Sequence, residues 1–201
     1  MHKEVTLIEI IDPEPHKIKM QTYITFLRGV NMAGHNKIKM TDLFVLYQDL
    51  GFNDAETFIQ SGNVIFTCSS GMSVRDISLR IETAIHQKYD YDVPVMIRTH
   101  EEMKKLIPVN PFLAEENFDP SKMAVIFLHE HPSEAQIQKV IKIDYPPDKF
   151  KIIGSEIFIY CPDGFGRTKL YTNFFENKMK IKGTGRNWNT INKILEIAGK
   201  K

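Results

Sequence analysis

Two stretches of this sequence repeat one order of elements, and that repetition constrains the fold more than any single motif. Apolar strand patterns at Tyr23–Leu27 and Met123–Leu128 each lead into a helix pattern. Each then continues through a strand–turn–strand signal to a second helix. In the first half Thr41 is a plausible N-cap, and Leu43, Leu46, Tyr47 and Leu50 share one face of a helix over Asp42–Leu50, stopped by Gly51. Ser61-Gly62 then marks a hairpin between Thr57–Gln60 and Asn63–Thr67. Ser73 and Asp76 open a helix with Ile77, Ile81, Ala84 and Ile85 on one face. Val93, Val95 and Ile97 alternate as a strand, which Pro94 places at a sheet edge. Thr99 and Glu102 cap a short connecting helix, stopped by Pro108.

The second half begins with Met123–Leu128 and a helix opened by Ser133 and Gln136, with Ile137, Val140 and Ile141 inward. Gly154-Ser155 joins Lys149–Ile153 to Glu156–Cys161 as a two-residue hairpin. A helix is expected from about Thr168 to Met179, with Leu170, Phe174 and Phe175 inward. No strand pattern follows. A last helix, with Ile191, Ile194, Leu195 and Ala198 on one face, is expected in its place. The fold class is therefore α+β. It comprises two ferredoxin-like (split βαβ) subdomains, over 20–108 and 121–201, the second ending in a helix where a strand belongs. The proline- and acid-containing stretch 109–120 reads as a linker, and 1–19 as an appended arm with a strand pattern at Val5–Ile11.

Composition excludes little. The total formal charge is +1, but Phe165–Lys201 holds nine Lys or Arg against two Glu, a local net of +7. Such asymmetry fits a polyanion partner or a solvated face. Two distant cysteines imply no disulfide framework. No apolar run spans a bilayer, and residues 1–19 lack a signal-peptide pattern, so a cytoplasmic protein is expected.

Four loops carry chemistry. Arg28–Lys39 joins a strand to a helix, holds Arg28, Asn31, Lys37 and Lys39, and contains no acid. Its glycines and cations suit an anion, and equally suit a plain turn. Gln60, Ser61 and Asn63 sit at a hairpin tip, where amides either recognise a ligand or make the turn. Arg167 and Lys169 fall at the expected start of the Thr168–Met179 helix. Cations are unfavourable at a positive dipole end unless an anion joins them. Arg186 and Asn187 flank Trp188, which either wedges the last helix against a sheet or offers a stacking face. The ligand-binding candidates are thus Arg28, Asn31, Lys39, Gln60, Ser61, Asn63, Arg167, Lys169, Arg186 and Asn187. His129-Glu-His131 lacks a third metal ligand, no cofactor motif is present, and no catalytic arrangement stands out.

Several of these stretches resemble domain-of-unknown-function family 1697. They are Tyr23-Ile-Thr-Phe-Leu-Arg-Gly-Val-Asn31, Gly51-Phe52, Thr57-Phe-Ile-Gln-Ser-Gly-Asn-Val64, Asn110-Pro-Phe112, Arg167-Thr-Lys-Leu170 and Arg186-Asn-Trp-Asn-Thr190. The resemblance covers about Met20–Ala198. It implies a bacterial cytosolic protein of two α+β subdomains, without an established activity. It also marks many of the polar candidates as signature positions. His35-Asn36 departs from the small residues that relatives often carry there. Three readings follow: a protein that binds nucleic acid or another polyanion, a binding protein or enzyme for a small phosphorylated or carboxylated metabolite, and a module that forms a homodimer.

Overall fold

The computed structural model describes residues 19–32 and 34–201. The strand expected at Val5–Ile11 lies outside them. The first half runs β1 (Met20–Leu27), α1 (Met40–Asp49), β2 (Asn53–Phe58), β3 (Asn63–Ser69), α2 (Val74–Tyr89), β4 (Val95–Thr99) and α3 (His100–Val109). The second runs β5 (Met123–Leu128), α4 (Glu134–Ile137), β6 (Lys149–Ile153), β7 (Glu156–Tyr160), α5 (Thr172–Met179), β8 (Gly183–Asn187) and α6 (Trp188–Ala198). The strand orders are β2-β3-β1-β4 and β6-β7-β5-β8, one antiparallel ferredoxin-like topology built twice.

The last strand of the second half is therefore present. β8 carries Gly183 and Gly185 and has no apolar alternation, so its sequence does not read as a strand. Pairing with β5, from Ala124↔Asn187 to Leu128↔Gly183, holds it extended. Helix α6 adds to the ferredoxin-like unit, as α3 does in the first half. Both start beside the same kind of cap: Thr99 accepts from the Glu102 N–H, and Asn187 from the Thr190 N–H.

Other boundaries moved for local reasons. Helix α1 starts at Met40, and its N-cap, Lys39, makes no side-chain capping bond. Helix α4 is a single turn, which leaves Val140 buried but Ile141 exposed. Helix α5 starts at Thr172, after a turn in which Leu170 N–H donates to Thr168 Oγ1. Pro94 does precede an edge strand, β4.

Period-two alternation gives each sheet two apolar faces. Tyr23 and Leu27 pack outward under α1 and α2, while Ile24 and Phe26 point inward. Val125 and Phe127 of β5 likewise point inward, and Ile126 and Leu128 outward toward α5. The inward faces meet in one shared core, closed by Met103 and Leu106 of α3 and by Trp188, Ile191 and Ile194 of α6. At its centre the Phe26 and Phe127 rings stack with centroids 4.2 Å apart. Trp188 is thus a buried wedge, the first of its two readings. Asn110 and Phe112, in the stretch that reads as a linker, are buried as well, Phe112 within this core.

Candidate functional site

The halves are joined by contacts that repeat as the elements do. Leu27 N–H donates to Gly62 O, and Leu128 N–H to Ser155 O, so each first strand is tied to its own hairpin tip. The next residue of each strand crosses to the other half. Arg28 makes a bidentate pair with the buried Glu176 of α5, Nε lying 2.6 Å from Oε1. His129 lies 3.8 Å from Glu82 of α2. Each carboxylate also accepts a backbone N–H from the start of a strand, Gly183 for Glu176 and Val95 for Glu82. Burial pushes the Glu82 carboxyl up, but His129, the Val95 N–H and Ser78 together hold it below its ordinary value. The same carboxylate raises His129 against the effect of burial.

A second pair of crossings uses arginines one residue before the N-caps of α3 and α6. Arg98 donates to Glu156, Leu128 O and Ser155 O, with its guanidinium 5.7 Å from the Phe127 ring centroid. Arg186 donates to Asn63 Oδ1, Leu27 O and Ser61 O, and lies 5.5 Å from the Phe26 ring centroid. Its remaining N–H groups go to Thr184 Oγ1 and Gly185 O, so all five donors are used. The halves differ in one partner: Glu156 neutralises Arg98, whereas neutral Asn63 faces Arg186. Arg186 is only 7% exposed, and burial lowers it to about 10, so it stays charged at neutral pH.

Above Arg186 opens a cleft of about 540 Å³. Its floor is Gly183–Asn187 of β8, one wall is Thr172 and Asn173 of α5, and the other is Leu27–Val30, Met32, Ile59 and Ser61 of the first half. Two subtractions shape it. β8 has glycines where β4 has Val95 and Ile97, and a Cβ on Gly185 would sit 3.2 Å from Thr172 Oγ1. Helix α5 carries one turn ahead of Glu176, where α2 carries two ahead of Glu82. Among the described residues, no carboxylate, imidazole, thiol or lysine lines the cleft. It presents hydroxyls, amides, the uncapped first turn of α5, and Arg28. Among the described residues the Nη1 of Arg28 has no acceptor.

The sequence candidates divide. Arg28, Ser61, Arg186 and Asn187 line this cleft. Asn63 lies beneath it, donating to Phe58 O and Ser61 Oγ. Asn31, Lys39 and Gln60 line a separate hollow with Lys37, beside the start of α1. There Asn31 is itself engaged, binding both Ile38 backbone groups and Gln60 O across the loop. Arg167 and Lys169 belong to neither hollow. They precede α5 rather than open it, so the dipole argument for an anion beside them does not hold, and Lys169 lies over the Tyr145 ring. His129, singled out with His131, faces Glu82. Glu176, Thr172 and Asn173 escaped the sequence reading, as did the part that Gly183 and Gly185 play in the floor. Comparing Asn63 with Glu156, each just after a hairpin turn, is the signal that would have exposed the asymmetry.

Residues 20–158 match the family described as "Protein of unknown function (DUF1697)". Among solved structures, the conserved bacterial protein SP0830 from Streptococcus pneumoniae is similar at 23% identity, with a TM-score of 0.72. The match covers 90% of this chain and 99% of that one, a likeness of fold. No curated protein matches. No helix among the described residues is long and apolar enough to cross a membrane.

Proposed function

The chain belongs to this family of unknown function, and from that premise we propose that it binds a small phosphate- or carboxylate-bearing metabolite in the cleft between its halves. One observation carries the reading: Arg186 is a buried cation without a carboxylate partner, beneath an open cleft, where its counterpart Arg98 has Glu156. Burying an unneutralised charge is costly, and an anion overhead offsets that cost through the low-dielectric floor. Arg28 Nη1, the Thr172 hydroxyl and the first turn of α5 supply direct donors. Among the described residues the lining offers hydrogen-bond donors and a cation, which suit it to hold a ligand.

The basic C-terminal third gives less support to an extended polyanion partner. Lys193 and Lys200 pair with Glu196, Lys201 pairs with Glu56, and Arg186 is buried.

Thr172→Asp provides the test. It sets a carboxylate in the cleft at the first position of α5, where an acid suits the helix dipole. Calorimetry and thermal shift should record binding of phosphate-bearing compounds to the wild type. Ligand at 100 times Kd adds about 2.7 kcal/mol. The variant should fold at least as stably and bind none of them. Wild-type protein that ignores every phosphate and carboxylate at millimolar concentration refutes the reading, and so does a variant that still binds them.

A further inference from the structure

The cleft has a second character that an inorganic anion leaves unused. Its volume, about 540 Å³, falls within the range of sites for whole organic ligands and far exceeds one phosphate. Two large apolar side chains from separate loops of the first half stand open on its rim: Met32, 62% exposed, and Ile59, 48% exposed. Leu27 and Val30 line the same wall.

Neither rim residue is there by default. Ile59 holds φ 51° at the tip of the β2–β3 hairpin. That is a left-handed conformation that glycine or asparagine adopts easily and that a β-branched residue resists. An exposed isoleucine at such a position is kept against both solvation and backbone preference, which points to a contact rather than to folding. Met32 is fixed by a backbone bridge to His35, whose N–H donates to Met32 O. Its thioether offers a soft, adaptable surface that suits an aromatic ring.

Charge and apolarity are therefore segregated across the cleft. The second half supplies β8 with buried Arg186 and the start of α5, Arg28 of the first half reaches across to Glu176 and Asn173 of that helix, and the rest of the first-half wall supplies the apolar rim. Building on the anion reading above, we infer that the ligand carries its anionic group on a planar apolar body of aromatic size. The anion rests over β8 and Arg28, and the ring lies against Met32 and Ile59. The class includes aryl phosphates, aryl carboxylates and nucleoside monophosphates.

Calorimetry with inorganic phosphate and with phenyl phosphate tests this on the full chain. Wild-type protein should bind phenyl phosphate at least about tenfold more tightly, the return on burying a ring against two side chains. Ile59→Gly relieves the left-handed strain, so it should melt no lower than the wild type. It should lose most of the phenyl phosphate advantage while keeping its affinity for inorganic phosphate. Met32→Ser should do the same without the gain in stability. If inorganic phosphate binds and the ring adds nothing, or if both variants keep the full ratio, the inference is overturned while the anion reading stands. If neither compound binds the wild type, both fall together.

Discussion

Arg98 and Arg186 occupy matching positions, each one residue ahead of a helix cap, each reaching to the hairpin tip of the opposite half, each over a phenylalanine of the shared core. They differ in their company. Arg98 faces Glu156, and the groove beside it also holds Glu82, Glu130 and His129. Arg186 faces Asn63, and among the described residues no acid lines the cleft above it. A doubled architecture can therefore keep one copy of a contact for stability and turn the other into an electrostatic vacancy. The fold tolerates this because all five Arg186 donors remain bonded, so only charge, and no hydrogen bond, is left uncompensated.

The comparison breaks most easily at its centre. Phe26→Ala and Phe127→Ala should each cost about 3–5 kcal/mol, since each empties part of one core. Their double mutant should fall short of additivity by about 0.5–1.5 kcal/mol, the worth of the ring pair. Denaturant titration should give a single transition in every variant; a split one would mean that the halves fold independently.

The arginines separate next. Arg98→Ala strands the Glu156 carboxylate in a nearly buried site and should cost about 3–5 kcal/mol. Arg186→Ala strands only neutral acceptors and should cost roughly 1–3 kcal/mol. Equal losses measured at neutral pH would erase the proposed difference. Thr172→Asp follows, with a gain of about 0.3–1 kcal/mol that salt should weaken.

The smallest effect compares Arg28–Glu176 with His129–Glu82. His129 is raised, so its contribution is complete below its unfolded pKa and disappears as pH rises through the folded value. Glu82 is lowered, so its contribution is present above its unfolded pKa and disappears as pH falls through the folded value. This crossing is thus strongest in weakly acidic solution, between about pH 4.5 and 6.5. Thermal melts across pH should show both limbs of this window flattened by His129→Gln. Unchanged limbs would remove the histidine from the account.

Element order, both hairpins, the Ser73 and Thr99 caps and the α6 face were legible because each rests on residues adjacent in sequence. Strand β8 was not. Gly183-Thr-Gly-Arg-Asn187 has no strand propensity, and its extension comes from hydrogen bonds to β5, far away in the chain. The candidate residues show the same division. Arg28, Asn31, Asn63 and Arg186 were recognisable as polar candidates, although the loops of the first three equally suited plain turns. What each one touches was not, because Glu176 is distant from Arg28 and Asn63 from Arg186.

By itself, then, the sequence determined the repeated β-α-β-β-α order and the faces that must be buried, since hydrophobic period and turn chemistry are local. Tertiary structure alone decided that the two sheets share one core, that Arg186 lacks a carboxylate, and that a cleft opens above it. Each of these depends on side chains from opposite halves meeting across a distance that no sequence window spans.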